Sequence, residues 1–270
     1  MKKLVVILLT WIPLISQAQN TAKDFFQLGY KAYQAEDFKT ALSYLDQSVA
    51  LNDKTSGAIR LRGYVKEKLG DFNGAVADFS KAIELSPNRV KDYIRRGNIR
   101  HALRDNQGAL EDYNKAINLR PNREQDYLTR GVIKNTLEDY EGAIKDYSKA
   151  LEINPDLHPA YYLRANSKFM LGLYTETLAD QKQVIAIRPD WADGYWSIGM
   201  TLYVLERYEE SISNLNRALE LNSEEVAEIY FYLGLSNADN GDIKRGCEYL
   251  RKSLTEGNVD AKKKIEYYCK

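Results

Sequence analysis

The strongest constraint on the fold is a glycine that recurs along the chain at one fixed interval. It occupies one column, with alanine in a single copy, at Gly29, Gly63, Gly97, Gly131, Ala165 and Gly199. Apolar residues around each position follow the three- and four-residue spacing of a helix. Because glycine inside a helix costs about 1 kcal/mol relative to alanine, its repetition needs a reason. We therefore expect a second helix to pack closely at each of these positions.

Each repeated segment predicts two antiparallel helices joined by a tight turn. In the segment 124–157, a helical pattern runs to Leu137 and is interrupted by Glu138 and Asp139. A second helical pattern then continues to Asn154 and Pro155. Proline ends this helix because it lacks an N–H group and disfavours helical backbone at the residue before it.

The repeated columns resemble the tetratricopeptide repeat, in which aromatic, glycine, small and proline positions follow one another over about 34 residues. They are Phe25, Ile59, Tyr93, Tyr127, Tyr161 and Tyr195, then Ala41, Ala75, Ala109 and Ala143, then Pro87, Pro121, Pro155 and Pro189. The leucine that precedes the glycine in this family survives only at Leu28 and Leu233. The resemblance implies an all-α fold, a right-handed superhelical solenoid of about seven helix-turn-helix repeats plus a C-terminal capping helix.

Three parts are expected along the chain. Residues 1–18 predict a signal peptide, with Lys2 and Lys3 before a short apolar run and small residues near Ala18. That run is shorter than the roughly 20 residues a membrane span needs, so we expect cleavage and a periplasmic or secreted protein without a membrane span. The solenoid is expected at 19–257, with copies at 22–55, 56–89, 90–123, 124–157, 158–191, 192–225 and 227–257, and the capping helix at 258–270.

Composition and motifs indicate a protein without catalytic chemistry. The chain has 38 basic and 38 acidic residues, and loss of the signal peptide would leave 36 basic and 38 acidic residues. Such a charge balance does not indicate nucleic-acid binding. His101 and His158 lie in different copies, outside any recognisable motif, and no spacing typical of a phosphate loop or a metal site occurs. We predict a non-enzyme with no catalytic residues, no metal and no cofactor.

The two cysteines predict a disulfide that holds the end of the chain. Cys247 lies ten residues before the turn near Gly257, and Cys269 lies twelve residues after it. Antiparallel helices would bring the two roughly level, and an exported protein meets an oxidising environment. The alternative is two separate buried thiols.

Two further columns vary together. Copies two to five carry Arg62, Arg96, Arg130 and Arg164, and the same copies carry Asp78, Asp112, Asp146 and Asp180. The other three copies carry neither residue type. This indicates an Arg–Asp pair between the two helices of a copy, because the planar arginine fork holds a carboxylate at two points. The alternative is a basic ladder for an anionic polymer, completed by Lys66, Arg100, Lys134 and Lys168.

The resemblance implies a protein–protein interaction scaffold that binds a peptide or protein segment in a concave groove lined by the first helices. The expected groove residues are Phe26, Tyr30, Tyr33, Arg60, Tyr64, Lys91, Arg95, Asn98, Asn135, Tyr162, Asn166, Phe169, Trp196, Met200, Tyr203 and Phe231. Large apolar side chains facing water mark binding sites, and Trp, Tyr and Arg are frequent anchors.

Charge divides this expected groove, with an N-terminal half that is basic and a C-terminal end that is acidic. The region of Arg95 and Asn98 resembles the places where some family members hold a partner's C-terminal carboxylate. Two other functions stay open: a cell-envelope assembly factor acting through the convex face or self-association, and glycan binding on the aromatic groove. The partner's identity and the oligomeric state are not determined by the sequence.

Overall fold

The computed structural model describes residues 21–270, and the predicted signal peptide lies outside them. The described chain consists of seven helical pairs followed by a final helix, which confirms the predicted architecture. Contacts divide it into two compact units, with the boundary after Asp92. The first unit contains α1 (Ala22–Gln34), α2 (Phe38–Leu51), α3 (Ser56–Lys68) and α4 (Phe72–Leu85), and α5 (Val90–Ala102) crosses the boundary.

The second unit continues the same pairing to the C-terminal end. Its helices are α6 (Asn106–Leu119), α7 (Glu124–Thr136), α8 (Tyr140–Ile153), α9 (His158–Met170), α10 (Tyr174–Ile187), α11 (Ala192–Val204), α12 (Tyr208–Glu220), α13 (Val226–Asp239), α14 (Ile243–Thr255) and α15 (Ala261–Tyr268).

The turn inside each copy is built by two recurrent residues. A residue with positive φ ends the first helix, and only some copies supply glycine there: Gly172 has φ +75°, whereas Glu138 has φ +60°. An aspartate then begins the second helix in most copies, as Asp139 does by accepting a hydrogen bond from the backbone N–H of Gly142 at 3.0 Å. Such a cap contributes about 1 kcal/mol because it satisfies an otherwise unpaired N–H group.

The glycine column marks close contact between the paired helices, as predicted. A Cβ atom added to Gly131 would lie 2.6 Å from the ring of Tyr147, and one added to Gly199 would lie 2.5 Å from Leu215. Both second-helix side chains are fully buried. The glycines therefore make room for large core residues of the second helix.

The core of the second unit contains two tyrosines related by the repeat. The Tyr113 hydroxyl donates to Asn98 Oδ1 at 2.5 Å, and burial raises the pKa of Tyr113 to about 12. At the matching place in the next copy, Tyr147 faces the position of Val132, and its buried hydroxyl bonds to no described protein atom. Burial raises the pKa of Tyr147 as well.

The C-terminal helix is shorter than predicted, since it spans Ala261–Tyr268 rather than 258–270. Asn258 instead forms a turn, its side-chain oxygen accepting from the N–H of Asp260 at 3.0 Å. Val259 therefore precedes the helix and is 76% exposed. Ile265 and Tyr268 do pack against α13 and α14 in a cluster with Leu235.

The sulfur atoms of Cys247 and Cys269 are bonded, with their Cα atoms 5.8 Å apart. The bond joins α14 to the residue that follows α15. A loop of this size, 22 residues in sequence separation, restricts the unfolded chain by about 3 kcal/mol.

We expect no free thiol when the unreduced protein is unfolded and treated with a thiol reagent. Cys269→Ser should lower the free energy of unfolding by about 3 kcal/mol, because the unfolded chain loses the cross-link. Mass spectrometry and urea unfolding measure the two outcomes. Two modified cysteines in the unreduced wild type would show that the bond does not form in solution.

Two glycine substitutions should change stability in opposite directions. Gly131→Ala should lower the free energy of unfolding by about 1–3 kcal/mol, because its Cβ would overlap Tyr147. Gly57→Ala, in a helix where an added Cβ meets no atom within 4 Å, should raise it by up to about 1 kcal/mol. Urea unfolding measures both. A neutral Gly131→Ala would contradict the close approach.

Candidate functional site

The Arg and Asp columns form ion pairs between the two helices of a copy, as predicted. Arg130 Nε and Nη2 donate to the two oxygens of Asp146 at 2.8 and 2.5 Å. Arg62 contacts Asp78 in the same two-point manner, and so does Arg164 on Asp180. The aspartate side chains in these pairs are 5% exposed.

A second cation contacts the aspartate of each pair. The sequence analysis had placed these second cations in the alternative interpretation, a basic ladder for an anionic polymer. Lys134 Nζ lies 2.8 Å from Asp146 Oδ2, and Lys168 Nζ lies 2.7 Å from Asp180 Oδ2. Equivalent contacts join Lys66 to Asp78 and Arg100 to Asp112. The second cations that a basic ladder would need are therefore bound to internal aspartates. In each of these copies the arginine, the aspartate and the second cation form a triad. Only a net charge of +1 remains on each triad.

The arginine of a triad also reaches the preceding copy. Arg130 Nη1 donates to Asn114 Oδ1 at 2.8 Å, and Arg164 Nη1 donates to Ser148 Oγ at 2.8 Å. The Arg130 guanidinium also lies 5.6 Å from the ring centre of Tyr127. One side chain thus links both helices of its own copy and the second helix of the copy before it.

The candidate binding surface of the second unit consists of aromatic side chains on α9 and α11. Tyr162, Asn166 and Phe169 stand at positions i, i+4 and i+7, and so share one face of α9. Trp196, Met200 and Tyr203 have the same arrangement on α11. All six are partly exposed.

Contacts hold these rings in place. Tyr162 meets Trp191 edge to face at 5.0 Å between ring centres, and Phe169 meets Tyr174 in the same way at 5.1 Å. Trp196 packs against the core around Leu215, and its indole nitrogen is buried without a partner among the described atoms. Sequence reasoning missed Tyr174, because it considered only first-helix positions; the aromatic residues that recur in its column of second helices were the available signal. It also missed Trp191, which precedes α11, and Tyr232 of α13.

Tyrosine hydroxyls hold one carboxylate at the C-terminal end of this surface. Tyr203 donates to Asp239 at 3.0 Å, and Tyr268 of α15 donates to the other oxygen of the same group at 2.6 Å. Burial and these hydrogen bonds to Asp239 raise the pKa of both tyrosines, so they remain donors at neutral pH. Tyr203 also contacts Tyr232, and Phe231 packs beside that ring.

Two predicted groove asparagines are used inside the second unit. Asn98 accepts from Tyr113, and Asn135 Oδ1 accepts from the Ser167 hydroxyl at 2.8 Å. Arg95, also of this unit, is exposed. In the region that resembles a carboxylate-holding pair, the amide oxygen of Asn98 is therefore engaged by Tyr113.

Within the first unit, aromatic residues cluster on α1. Phe26 stacks on Tyr30 with ring centres 6.4 Å apart, and Tyr33 contacts Phe38 of α2 at 6.0 Å. Tyr64 of α3 meets Phe79 of α4 edge to face at 5.1 Å. Tyr30 is 47% exposed, and Lys91 is exposed at the other end of the unit.

Arg60 differs from the other groove residues because an internal carboxylate holds it. Its Nε lies 2.7 and 2.9 Å from the two oxygens of Asp92, which is fully buried. Arg89 lies 3.4 Å from the same carboxylate. Sequence reasoning missed this pairing, although the Arg89–Asp92 spacing recurs in the next copy as Arg123 with Asp126.

Three family models match the chain, and together they cover more than half of it. A model described as TPR repeat matches residues 131–172, and one described as tetratricopeptide repeat matches residues 197–261. A second tetratricopeptide-repeat model matches residues 61–89 and 93–123. The chain is a tetratricopeptide-repeat protein. This family is generally non-enzymatic and typically mediates protein–protein interaction.

Solved structures at low identity share the fold. The C-terminal part of a TPR repeat-containing protein from Cytophaga hutchinsonii is 14% identical, with a TM-score of 0.74 over 87% of this chain and 97% of that one. A tetratricopeptide repeat protein from Parabacteroides merdae is 18% identical, with a TM-score of 0.62 over 92% and 99%.

YrrB, described as a TPR protein with an unusual peptide-binding site, is also similar. It is 18% identical, with a TM-score of 0.60 over 69% of this chain and 96% of that one. The sequence comparison with curated proteins gave no match.

Residues 21–270 contain neither a candidate metal site nor a candidate membrane span. No group of three or more His, Cys, Asp or Glu side chains there could hold a metal ion. None of the helices in this part of the chain is long and apolar enough to cross a membrane.

The triad predicts a specific pattern of stability changes. Asp146→Asn should lower the free energy of unfolding by about 3–5 kcal/mol, because Arg130 and Lys134 lose their counter-charge. Replacing the triad with Ile, Leu and Asn, the residues of copy six at 198, 202 and 214, should recover most of the loss. Urea unfolding measures this. If the triple variant is no more stable than Asp146→Asn, the three side chains do not act together as proposed.

Proposed function

We propose that this tetratricopeptide-repeat protein is a non-enzymatic scaffold that binds a segment of a partner protein on the first-helix surface of its second unit. The observation that carries the proposal is the row of partly exposed aromatic side chains on α9 and α11. A helix face that only met water would favour polar residues at these positions. Here large rings with restricted motion stand there instead, as at the centres of protein interfaces.

The fixed geometry of the rings supports binding without large rearrangement. Tyr162 and Phe169 each rest edge to face on another ring, so little side-chain freedom is lost when a ligand covers them. Asn166 lies between them and offers hydrogen bonds to a peptide backbone. The likeness to YrrB, described as having an unusual peptide-binding site, agrees with a peptide ligand.

We also propose that the protein acts after export, in the periplasm or outside the cell. The basic start and short apolar run of residues 1–18 support this, together with the disulfide between Cys247 and Cys269. Its partner would then be an exported or envelope protein.

Peptides selected from a random library provide a test that needs no known partner. We expect a selected peptide to bind Tyr162→Ala and Phe169→Ala more weakly than the wild type by about 30-fold, which corresponds to about 2 kcal/mol. Fluorescence polarisation of the labelled peptide measures the affinities.

Tyr161→Ala is the matched control, since Tyr161 is adjacent on α9, also partly exposed, and covered by Arg164 at 5.5 Å. It should bind the peptide like the wild type. Equal weakening by Tyr161→Ala, or full affinity in both surface variants, would contradict binding on this surface and favour another face. Circular dichroism establishes that each variant is folded.

A further inference from the structure

The disulfide near the C-terminal end of the chain is connected to the candidate binding surface of the second unit. Cys269 directly follows Tyr268, whose hydroxyl donates to Asp239 at 2.6 Å. Tyr203 of the binding surface donates to the other oxygen of the same carboxylate at 3.0 Å. One disulfide, one peptide bond and two hydrogen bonds therefore join Cys247 to Tyr203.

Apolar packing joins the same parts of the molecule. Tyr203 and Tyr268 both pack against one buried cluster, which consists of Leu235, Leu250 and Ala261. α15 therefore supports the C-terminal end of the binding surface as well as covering the last copy.

α15 has few other attachments. It contains eight residues, and a helix of that length is marginal by itself. Ala261 is its only buried residue, and Ile265 and Tyr268 stay partly exposed. With the disulfide formed, α15 is tied to α14 at both ends, through the turn at Asn258 and through Cys269. With the disulfide reduced, only the turn remains, so local opening of α15 costs less free energy.

We infer that Tyr268 positions Tyr203 through Asp239, and that the disulfide between Cys247 and Cys269 makes this positioning depend on redox state. The inference rests on the proposed function, because Tyr203 belongs to the surface proposed to bind a partner segment. In the oxidised protein the Asp239 carboxylate holds both tyrosines. In the reduced protein a fraction of molecules has α15 detached, and a partner segment binds more weakly in proportion to that fraction.

The reductant is a dithiol, and the exposed sulfur determines where it attacks. Cys247 is 5% exposed, whereas Cys269 is partly exposed. A thiolate of the dithiol attacks the Cys269 sulfur, the disulfide breaks, and Cys247 leaves as a thiolate that takes up a proton. The second thiol of the dithiol then attacks the mixed disulfide at the dithiol's own sulfur, which releases the Cys269 thiol. The protein gains two electrons and two protons, and the dithiol becomes a disulfide.

NMR of the full chain with carbon-13 in its tyrosine rings tests the positioning without a partner. Reduction with dithiothreitol should shift the Tyr203 ring signal, and Tyr268→Phe should shift it in the same direction with the disulfide intact. Reduction should also raise the amide exchange rates of α15 at least about ten-fold. Cys269→Ser should resemble the reduced wild type and should not respond to dithiothreitol.

Tyr267→Phe is the matched control on the same helix. Tyr267 is adjacent to Tyr268 and 71% exposed, and its hydroxyl bonds to no residue within 21–270. This variant should keep the wild-type Tyr203 signal in the oxidised protein. A Tyr203 signal that is unchanged by reduction, or that moves equally in Tyr267→Phe and Tyr268→Phe, would overturn the inference.

The selected peptides supply a second measurement. For a peptide that Tyr203→Ala weakens, reduction of the wild type and Tyr268→Phe should each raise the dissociation constant at least about three-fold, because a hydrogen bond to a charged group is lost. A shifted Tyr203 signal with unchanged affinity for that peptide would contradict the inference alone. If Tyr162→Ala and Phe169→Ala keep full peptide affinity, the proposed function fails, and the Tyr203 signal still decides whether α15 positions that ring.

Discussion

The close approach of the two helices in each copy is the constraint on which the other features depend. Gly131 and Gly199 remove the side chain that would meet Tyr147 and Leu215, and these large residues then fill the space. The arginine that precedes this small residue in copies two to five, a glycine in three of them and Ala165 in the fourth, is thereby brought within reach of an aspartate on the second helix. If the two helices lay further apart, the arginine and aspartate side chains of the triads could not reach one another.

Buried ions are used in some copies and omitted in others. Asp146 keeps only 5% of its side-chain surface exposed and is compensated by two cations. Copy six has Ile198 and Leu202 at the cation positions, both buried, and no aspartate partner. The same pair of helices can thus pack around either a charged triad or uncharged residues, provided that all three positions change together.

Repetition made much of the fold predictable, because one chain supplies several independent versions of each position. The helical pairs, the close approach at the glycines and the Arg–Asp pairs could be read from columns at a fixed interval. The role of Lys134 could not, because a lysine one turn away fits both an internal ion pair and an open basic face. Only distances to Asp146 decide between them.

The candidate site was less predictable than the fold. Position in a helix indicated that Tyr162 and Phe169 share a face, but their contacts involve Trp191 and Tyr174, which come from a loop end and a second helix. The sequence predicted Arg60 as a basic residue of the groove, whereas in the structure it forms an ion pair with Asp92. The limit of α15 was also missed, because an asparagine turn at Asn258 has the same composition as a helical start.

The reach of Arg130 and Arg164 into the preceding copies has a consequence for how the molecule loses structure. A repeat array behaves as a row of units coupled to their nearest neighbours. Opening copy four breaks a bond to Asn114 of copy three, and opening copy five breaks one to Ser148 of copy four. Ile198 of copy six cannot form such a bond. At that junction Gln181 of copy five donates instead to the Ser197 carbonyl and the Thr201 hydroxyl, so a different side chain couples copies five and six. Copies three to six are therefore expected to exchange their amide hydrogens as one cooperative block.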